Sequence, residues 1–257
     1  VSAGFPRRLD EEPVADAGTP RYELPGWMRD LGLVAGVTTA ADRQMDFRLG
    51  PDAASDGTLD RWARLLSDVG NGFPTGVVAR QVHGSRVRTW AGEPAPGLVV
   101  EDGLDGHATS ASGVLLSVTV ADCVPVYLAH RDSAAIALLH AGWRGVASGV
   151  LEAGVERLLA IGGGTGQSIV MHCGISICGS CYEVGPEVFE ALGMPRPPGP
   201  TLLDLRSELA RRARELGVGT VSVSGWCTAH DRGRFHSHRA SAGTAGRMAA
   251  YLGRAPA

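Results

Sequence analysis

The chain has 257 residues, of which 44% are hydrophobic and 20% charged, with a formal net charge of −3; this is the make-up of a folded soluble protein and excludes a disordered one. All 24 basic residues are arginine, scattered without a basic run, which excludes the electrostatic footprint of a nucleic-acid binder. The longest apolar stretch, 114–129, is interrupted by Asp122 and Pro125, so no membrane span is expected. Five cysteines, odd in number and without an apolar leader near the start, point to a reducing cytoplasm rather than a disulfide framework.

Residues 1–25 are rich in Pro, Gly and acidic groups and are expected to form a loosely ordered arm ahead of a single domain over 26–257. "LGLVAGVTTA" (31–40) reads as a first strand. In 56–70, Leu59, Trp62, Leu65, Leu66 and Val69 recur at helical spacing. A strand over 77–82 follows, ending in "RQVHG". The segment 113–145 reads as strands over 114–120, 124–129 and 135–140, with "HRDS" turning the last two into a hairpin. Val150, Leu151, Val155, Leu158 and Leu159 mark a helix over 146–160, stopped by "GGGTG". Residues 168–175 are again strand-like. Asp204 can cap a helix with the stripe Leu205, Leu209, Ala213 and Leu216, ended by Gly217. "TVSVSGWC" (220–227) alternates as a strand. Interleaved strands, hairpins and helices imply an α+β fold, a mixed sheet with packed helices in a layered sandwich, rather than a purely parallel sheet.

His83 in "RQVHG", Cys123 in "VADCVP" and His140 in "LLHAGWRG" each lie at or just beyond the end of an expected strand, beside small residues that let the chain turn. Two imidazoles and a thiolate can bind zinc and leave a fourth position open for water or substrate. Their separations, 40 and 17 positions, follow no short metal motif. Satisfied core histidines and an inert buried thiol are the competing reading.

The stretches "RQVHG", "DGHAT", "GVLLSVTVADCVPVYL", "ALLHAGWRG", "CYEVGPEV" and "CTAHDRGRFHSHRASAGTAGRMAAYL" occur in order from about 80 to 252. Together they resemble the laccase-domain family, also described as polyphenol oxidases, zinc-dependent purine nucleoside phosphorylases and peptidoglycan editing factors. The resemblance implies one zinc on His83, Cys123 and His140. It further implies phosphorolysis of purine nucleosides (adenosine, inosine, guanosine and 5′-methylthioadenosine) together with adenosine deamination. The partners expected are then a small nucleoside and phosphate, with neither nucleic acid nor membrane, in a cytoplasmic monomer or homodimer. The chain departs from the family pattern in 36–50, with Ala40 where Arg is expected and Arg48 where Asn is expected, in "CGISI" (173–177) and in "FHSHR" (235–239).

Arg144 and Arg239 are candidate phosphate contacts because a guanidinium matches phosphate oxygens bidentately, an ion pair to a nearby carboxylate being the plainer role. Asp122 can accept from a ligating imidazole or orient the attacking group, unless alternation turns it to the opposite face. Gln81 is a further substrate-contact candidate, and Arg80 shares its ambiguity. Trp143 reads first as core packing and second as a stack for a base. Cys173, Cys178 and Cys181 are spaced C-x4-C-x2-C; the C-x2-C part resembles a zinc or redox motif, but without a second such pair the three read first as core or surface thiols and only second as a structural metal site. His236 and His238 would share one face of a strand and, like His230, read as pocket lining or packing. His107 is a loop histidine near the site, and His130 is expected to be solvated in the hairpin turn.

Copper is the alternative ion, and with it slow phenol oxidation. A multicopper oxidase needs on the order of ten His ligands around four coppers, more than the eight His in this chain. Two further readings are a hydrolase editing peptidoglycan precursors, either metal-dependent or of the Cys-His kind with Cys123 as nucleophile and His140 or His83 as base, and a zinc-stabilised binding module.

Overall fold

A computed structural model describes residues 6–40, 45–50, 57–69, 72–92 and 95–256. Three short strands, β1 (Arg7–Arg8), β2 (Glu12–Pro13) and β3 (Arg21–Glu23), precede helix α1 (Pro25–Leu31) and β4 (Val34–Thr38). Helix α2 (Thr58–Asp68) leads to β5 (Thr75–Arg80), β6 (Val87–Trp90), β7 (Gly97–Asp102) and β8 (Gly106–Thr109). Next come β9 (Val114–Val120), β10 (Val124–His130), β11 (Ile136–Ala141), helices α3 (Trp143–Ala147) and α4 (Val150–Gly162), and β12 (Ile169–Cys173). The last part holds β13 (Glu183–Val184), α5 (Pro186–Ala191), β14 (Thr201–Leu202), α6 (Leu205–Glu215), β15 (Thr220–Val223) and β16 (Met248–Gly253).

Two seven-stranded sheets carry the fold, ordered β1-β15-β12-β10-β11-β8-β6 and β2-β3-β4-β16-β9-β5-β7. Both are mixed: β10 pairs antiparallel with β11 and β12, whereas β5 runs parallel to β7 and β9. Side chains alternate across a strand, and both faces of the central strands are covered, so these strands read as unbroken apolar runs. On β10, Val124, Val126 and Leu128 pack against Val150, Leu151, Val155 and Leu158 of α4 and Leu209 and Ala213 of α6. Tyr127 and Ala129 of the same strand face the other sheet, meeting Val37, Leu116, Val118 and Leu252 in the interior of the sandwich. Outside the second sheet, Trp62, Leu65 and Leu66 of α2 cover Val78, Leu115 and Tyr251. The layers are thus helix, sheet, sheet, helix, an α+β sandwich as expected. Truncating a fully buried residue of these layers, such as Leu139, costs about 2–5 kcal/mol.

The β10–β11 hairpin falls where the sequence places it, and Asp204 caps α6 by accepting from the backbone N–H of Arg206 and Ser207. Several expectations change. Helix 146–160 is two helices, because Gly149 takes a left-handed φ of 87° between α3 and α4. The strand in 220–227 ends at Val223. The first residues of the expected arm, 1–5, lie outside the described residues, as do 41–44 of the atypical 36–50 segment and the ends, 56 and 70, of the second element. Residues 6–24, however, are built into both sheets: β1 pairs with β15, and β3 pairs with β4. Glu11 is fully buried, accepting from Ile175 N–H, the His172 imidazole and the Ser224 hydroxyl. A buried carboxylate needs such partners, and they anchor this segment.

A candidate metal centre between the sheets

The three expected ligands converge. One donor atom from each of His83, Cys123 and His140 lies within 4.8 Å of the others, and the two imidazoles meet edge to face at 4.8 Å between centroids. They come from three different elements. His140 is a buried residue of β11, Cys123 ends the turn that carries the chain from β9 in one sheet to β10 in the other, and His83 stands exposed on the loop after β5. His83 and Asp122 both have positive φ, 59° and 84°. For residues other than glycine such backbone is strained and is held by its surroundings, a pattern concentrated at functional sites.

Asp105 supplies that hold. It is buried just before β8, and its carboxylate accepts from the backbone N–H of Val82, His83 and Gly84 and from Nδ1–H of His140 at 2.9 Å. One side chain therefore pins the His83 loop and fixes the His140 tautomer with Nε2 toward the cluster, as carboxylate partners of metal-bound imidazoles do. Burial raises the Asp105 pKa, but the His140 and backbone hydrogen bonds outweigh it and the net shift is downward. Burial also opposes charge on Cys123 and His140. Their mutual attraction, with His83 assisting the thiolate and Asp105 the imidazolium, pulls the thiol pKa down and pushes the imidazole pKa up. The thiol is thus poised to ionise, which a metal ligand requires. Gly142 completes the cradle: a Cβ there would sit 3.0 Å from Cys123 Sγ and 3.2 Å from His83 Cδ2. Donor set, spacing and cradle all fit a metal ion with an open position.

Two cavities flank the trio and share His83, Ala121, Cys123 and His238. The larger, about 390 Å³, is lined also by Arg48, Gln81, Thr119 and Arg247. The smaller, about 250 Å³, is lined by Trp143, Arg144, Tyr182 and Arg239. Arg144 lies over the Trp143 ring and Arg239 over Tyr182, and both candidate phosphate residues line this smaller cavity. Arg239 also donates to the Glu183 carbonyl at 2.7 Å, and Arg80 is paired with Asp102 at the surface.

Other expectations are revised. Asp122 is not the acceptor for a ligating imidazole, since Asp105 holds that position; its own oxygens accept from Thr228 Oγ1–H and Arg239 N–H, both at 2.6 Å. Gln81 lines the larger cavity, but its amide is bonded three times to Thr119, tying β5 to the end of β9. His107 is a core residue on β8 that accepts from Trp90 Nε1–H, and burial lowers its pKa to about 3. His130 is buried rather than solvated: it folds back from β10 to donate to the Gly163 carbonyl. His236 lies in irregular backbone and His238 in a turn, neither on a strand. His236 donates to the Met45 carbonyl, while His238 lines both cavities beside the trio. Trp143 both packs on the helix-side core and lines the smaller cavity. Asp105 and Arg247 escaped sequence reading. For Asp105 the available signal was the rule that a ligating histidine needs a carboxylate partner, applied to "DGHAT".

A helix-sheet-sheet-helix sandwich with a candidate His₂Cys metal site between two arginine-lined cavities is the arrangement the fold presents. Residues 33–255 match the family described as multi-copper polyphenol oxidoreductase laccase, and the chain belongs to that family. It is 30% identical, over 91% of its length and 96% of the relative's, to the purine nucleoside phosphorylase YlmD of Geobacillus stearothermophilus. It is 35% identical, over 74% of its length and 75% of the relative's, to a purine nucleoside phosphorylase of Deinococcus radiodurans. A protein named adenosine deaminase RL5, from an unknown prokaryotic organism, is 34% identical over 56% of this chain and 55% of its own length. The crystal structure of YlmD from Geobacillus stearothermophilus superposes with a TM-score of 0.81 at 26% identity, covering 96% of this chain and 99% of that one.

Proposed function

We propose that this chain is a zinc-dependent purine nucleoside phosphorylase that also deaminates adenosine. The observation that carries the reading is the open three-ligand centre set between two arginine-lined cavities, in a chain whose relatives bear those names. Zinc suits two imidazoles and a thiolate with one open position, and when bound it supplies a Lewis acid beside the substrate. Copper is the alternative ion for the same donors. A multicopper centre fits poorly, because His107, His130 and His172 are committed to Trp90, Gly163 and Glu11.

In phosphorolysis a phosphate oxygen attacks C1′ of the ribose, the bond from C1′ to the base nitrogen breaks, and the base leaves with a proton. Arg144 and Arg239 share the wall suited to the phosphate, where their fixed charge offsets that of the attacking group. The larger cavity takes the nucleoside, with Arg48 and Arg247 on its wall. Once His83 and Cys123 serve the metal, His238 is the titratable group common to both cavities and is placed to protonate the departing base. Deamination uses the same space, with water adding at C6 and ammonia leaving. The five free thiols agree with a reducing cytoplasm, and no helix among the described residues is long and apolar enough to cross a membrane.

The test incubates zinc-loaded protein with adenosine, inosine and 5′-methylthioadenosine, with and without phosphate, and separates the products. Free base together with ribose 1-phosphate (5-methylthioribose 1-phosphate from 5′-methylthioadenosine), only when phosphate is present, is the expected result. Absence of both base and ammonia for every nucleoside rejects the proposal.

A further inference from the structure

A second convergence of metal-binding side chains lies apart from the trio. Cys178 and Cys181 flank one two-residue turn, and Cys227 and His230 flank another, 46 positions further along the chain. Sequence spacing shows only the first pair. The fold supplies the second: β12 and β15 run parallel, and their pairing continues past the strands through Ser224 N–H to the Cys173 carbonyl and a bridge between Ser176 and Cys227. Donor atoms of all four residues lie within 4.8 Å of one another. Cys181 Sγ is 3.1 Å from His230 Nε2, and Cys178 Sγ is 3.9 Å from His230 Nδ1.

The backbone around these groups has the form of a metal knuckle. Cys181 N–H closes a turn onto the Cys178 carbonyl, Cys178 N–H donates to Cys227 Sγ at 3.3 Å, and the Ser180 hydroxyl lies 3.0 Å from Cys178 Sγ. Such donors stabilise thiolates. Gly179 sits hard against the α6 cap, where a Cβ would be 2.8 Å from Asp204 Cβ. A tetrahedral ion bonded at about 2.3 Å to sulfur and about 2.0 Å to nitrogen needs donors roughly 3.5–3.8 Å apart, a spacing these four atoms reach with small side-chain rotations. All four cysteines and histidines of the group are accounted for by one closed Cys₃His shell, and none of the three thiols is in a disulfide.

We propose that Cys178, Cys181, Cys227 and His230 bind a second zinc ion, whose role is structural. The shell has no vacant position for substrate. It joins the loop after β12 to the loop after β15, and both loops reach the first centre: Ile177 N–H donates to the Asp122 carbonyl and Thr228 Oγ1–H to the Asp122 carboxylate. Tyr182, one residue past Cys181, and Arg239 stand on the smaller cavity. The second ion therefore fixes the wall that carries the phosphate candidates. This inference holds for any reaction at the first centre.

The experiment measures zinc per chain, by plasma mass spectrometry, in full-length protein purified under reducing conditions and equilibrated with zinc. Wild type is expected to hold two ions, His83→Ala/Cys123→Ala one, and the same double variant carrying Cys181→Ser none. Cobalt substituted into the folded double variant gives an independent reading that needs no change at the second cluster. Thiolate-to-cobalt charge-transfer absorption of the strength of three thiolates supports the site. A folded double variant that takes up no zinc and shows no such absorption overturns it, as does a zinc ion that survives Cys181→Ser, or a Cys178–Cys181 disulfide found by peptide mass mapping of protein alkylated without prior reduction.

Discussion

The two Cys/His clusters use similar atoms on opposite plans. The first brings three candidate ligands from the loop after β5, the turn after β9 and strand β11, holds them with a buried carboxylate, and leaves exposed His83 beside two cavities. The second, as proposed, brings four from two short turns on adjacent loops and would close on itself around an ion. Ligand number and access, more than ligand type, separate an ion that reacts from one that holds chain segments together.

Substitutions should pull these roles apart. The largest effect on turnover is expected for His83→Ala, which removes an exposed ligand: nucleoside cleavage falls to background while the melting temperature stays nearly unchanged. Comparable stability loss would mean that the first centre is structural too. Cys227→Ala should do the reverse, lowering stability by about 3 kcal/mol, or the melting temperature by roughly 6–12 °C, in calorimetry. Asp105→Asn keeps the shape but removes the carboxylate that orients His140 and the His83 loop. Zinc affinity at the first centre should drop about 10–100-fold in competition with a chelating dye, leaving the second centre intact. Arg144→Lys replaces a planar fork with a point charge and should raise the KM for phosphate about tenfold with a smaller change for the nucleoside; equal effects on both would remove Arg144 from the phosphate wall.

The smallest effect belongs to a side chain that is part of neither cluster. Glu208 on α6 is buried, which raises its pKa, but hydrogen bonds from Arg211 and Arg212 bring it below the ordinary glutamate value. A depressed carboxyl pKa adds stability that is present above the unfolded value and lost as pH falls through the folded one. Melting temperature should therefore fall at acid pH, and Glu208→Gln should flatten that fall without altering zinc content at either cluster.

What the sequence disclosed follows the same division between local and distant causes. Strands β9, β10 and β11 were legible because burial on both faces writes long apolar runs, and their ends framed Cys123 and His140. Strand β16, "MAAYLG", is central in its sheet, yet its short, Ala-rich stretch gives little periodic signal. Residues 6–24 read as an arm because their anchors, Glu11 to His172 and β1 to β15, join positions more than 150 apart. Asp105 was hidden for a related reason: its importance lies in facing His83 and His140 at once. Cys227 and His230 could not be matched to Cys178 and Cys181 until β12 and β15 were known to lie side by side.

Anomalous diffraction at the zinc absorption edge, from crystals of the zinc-loaded protein, tests the division of roles most directly. Two peaks per chain are expected, one among His83, Cys123 and His140 with a coordination position open to the cavities, the other enclosed by Cys178, Cys181, Cys227 and His230. An empty first centre, or a first ion closed off by a fourth protein ligand, would contradict it.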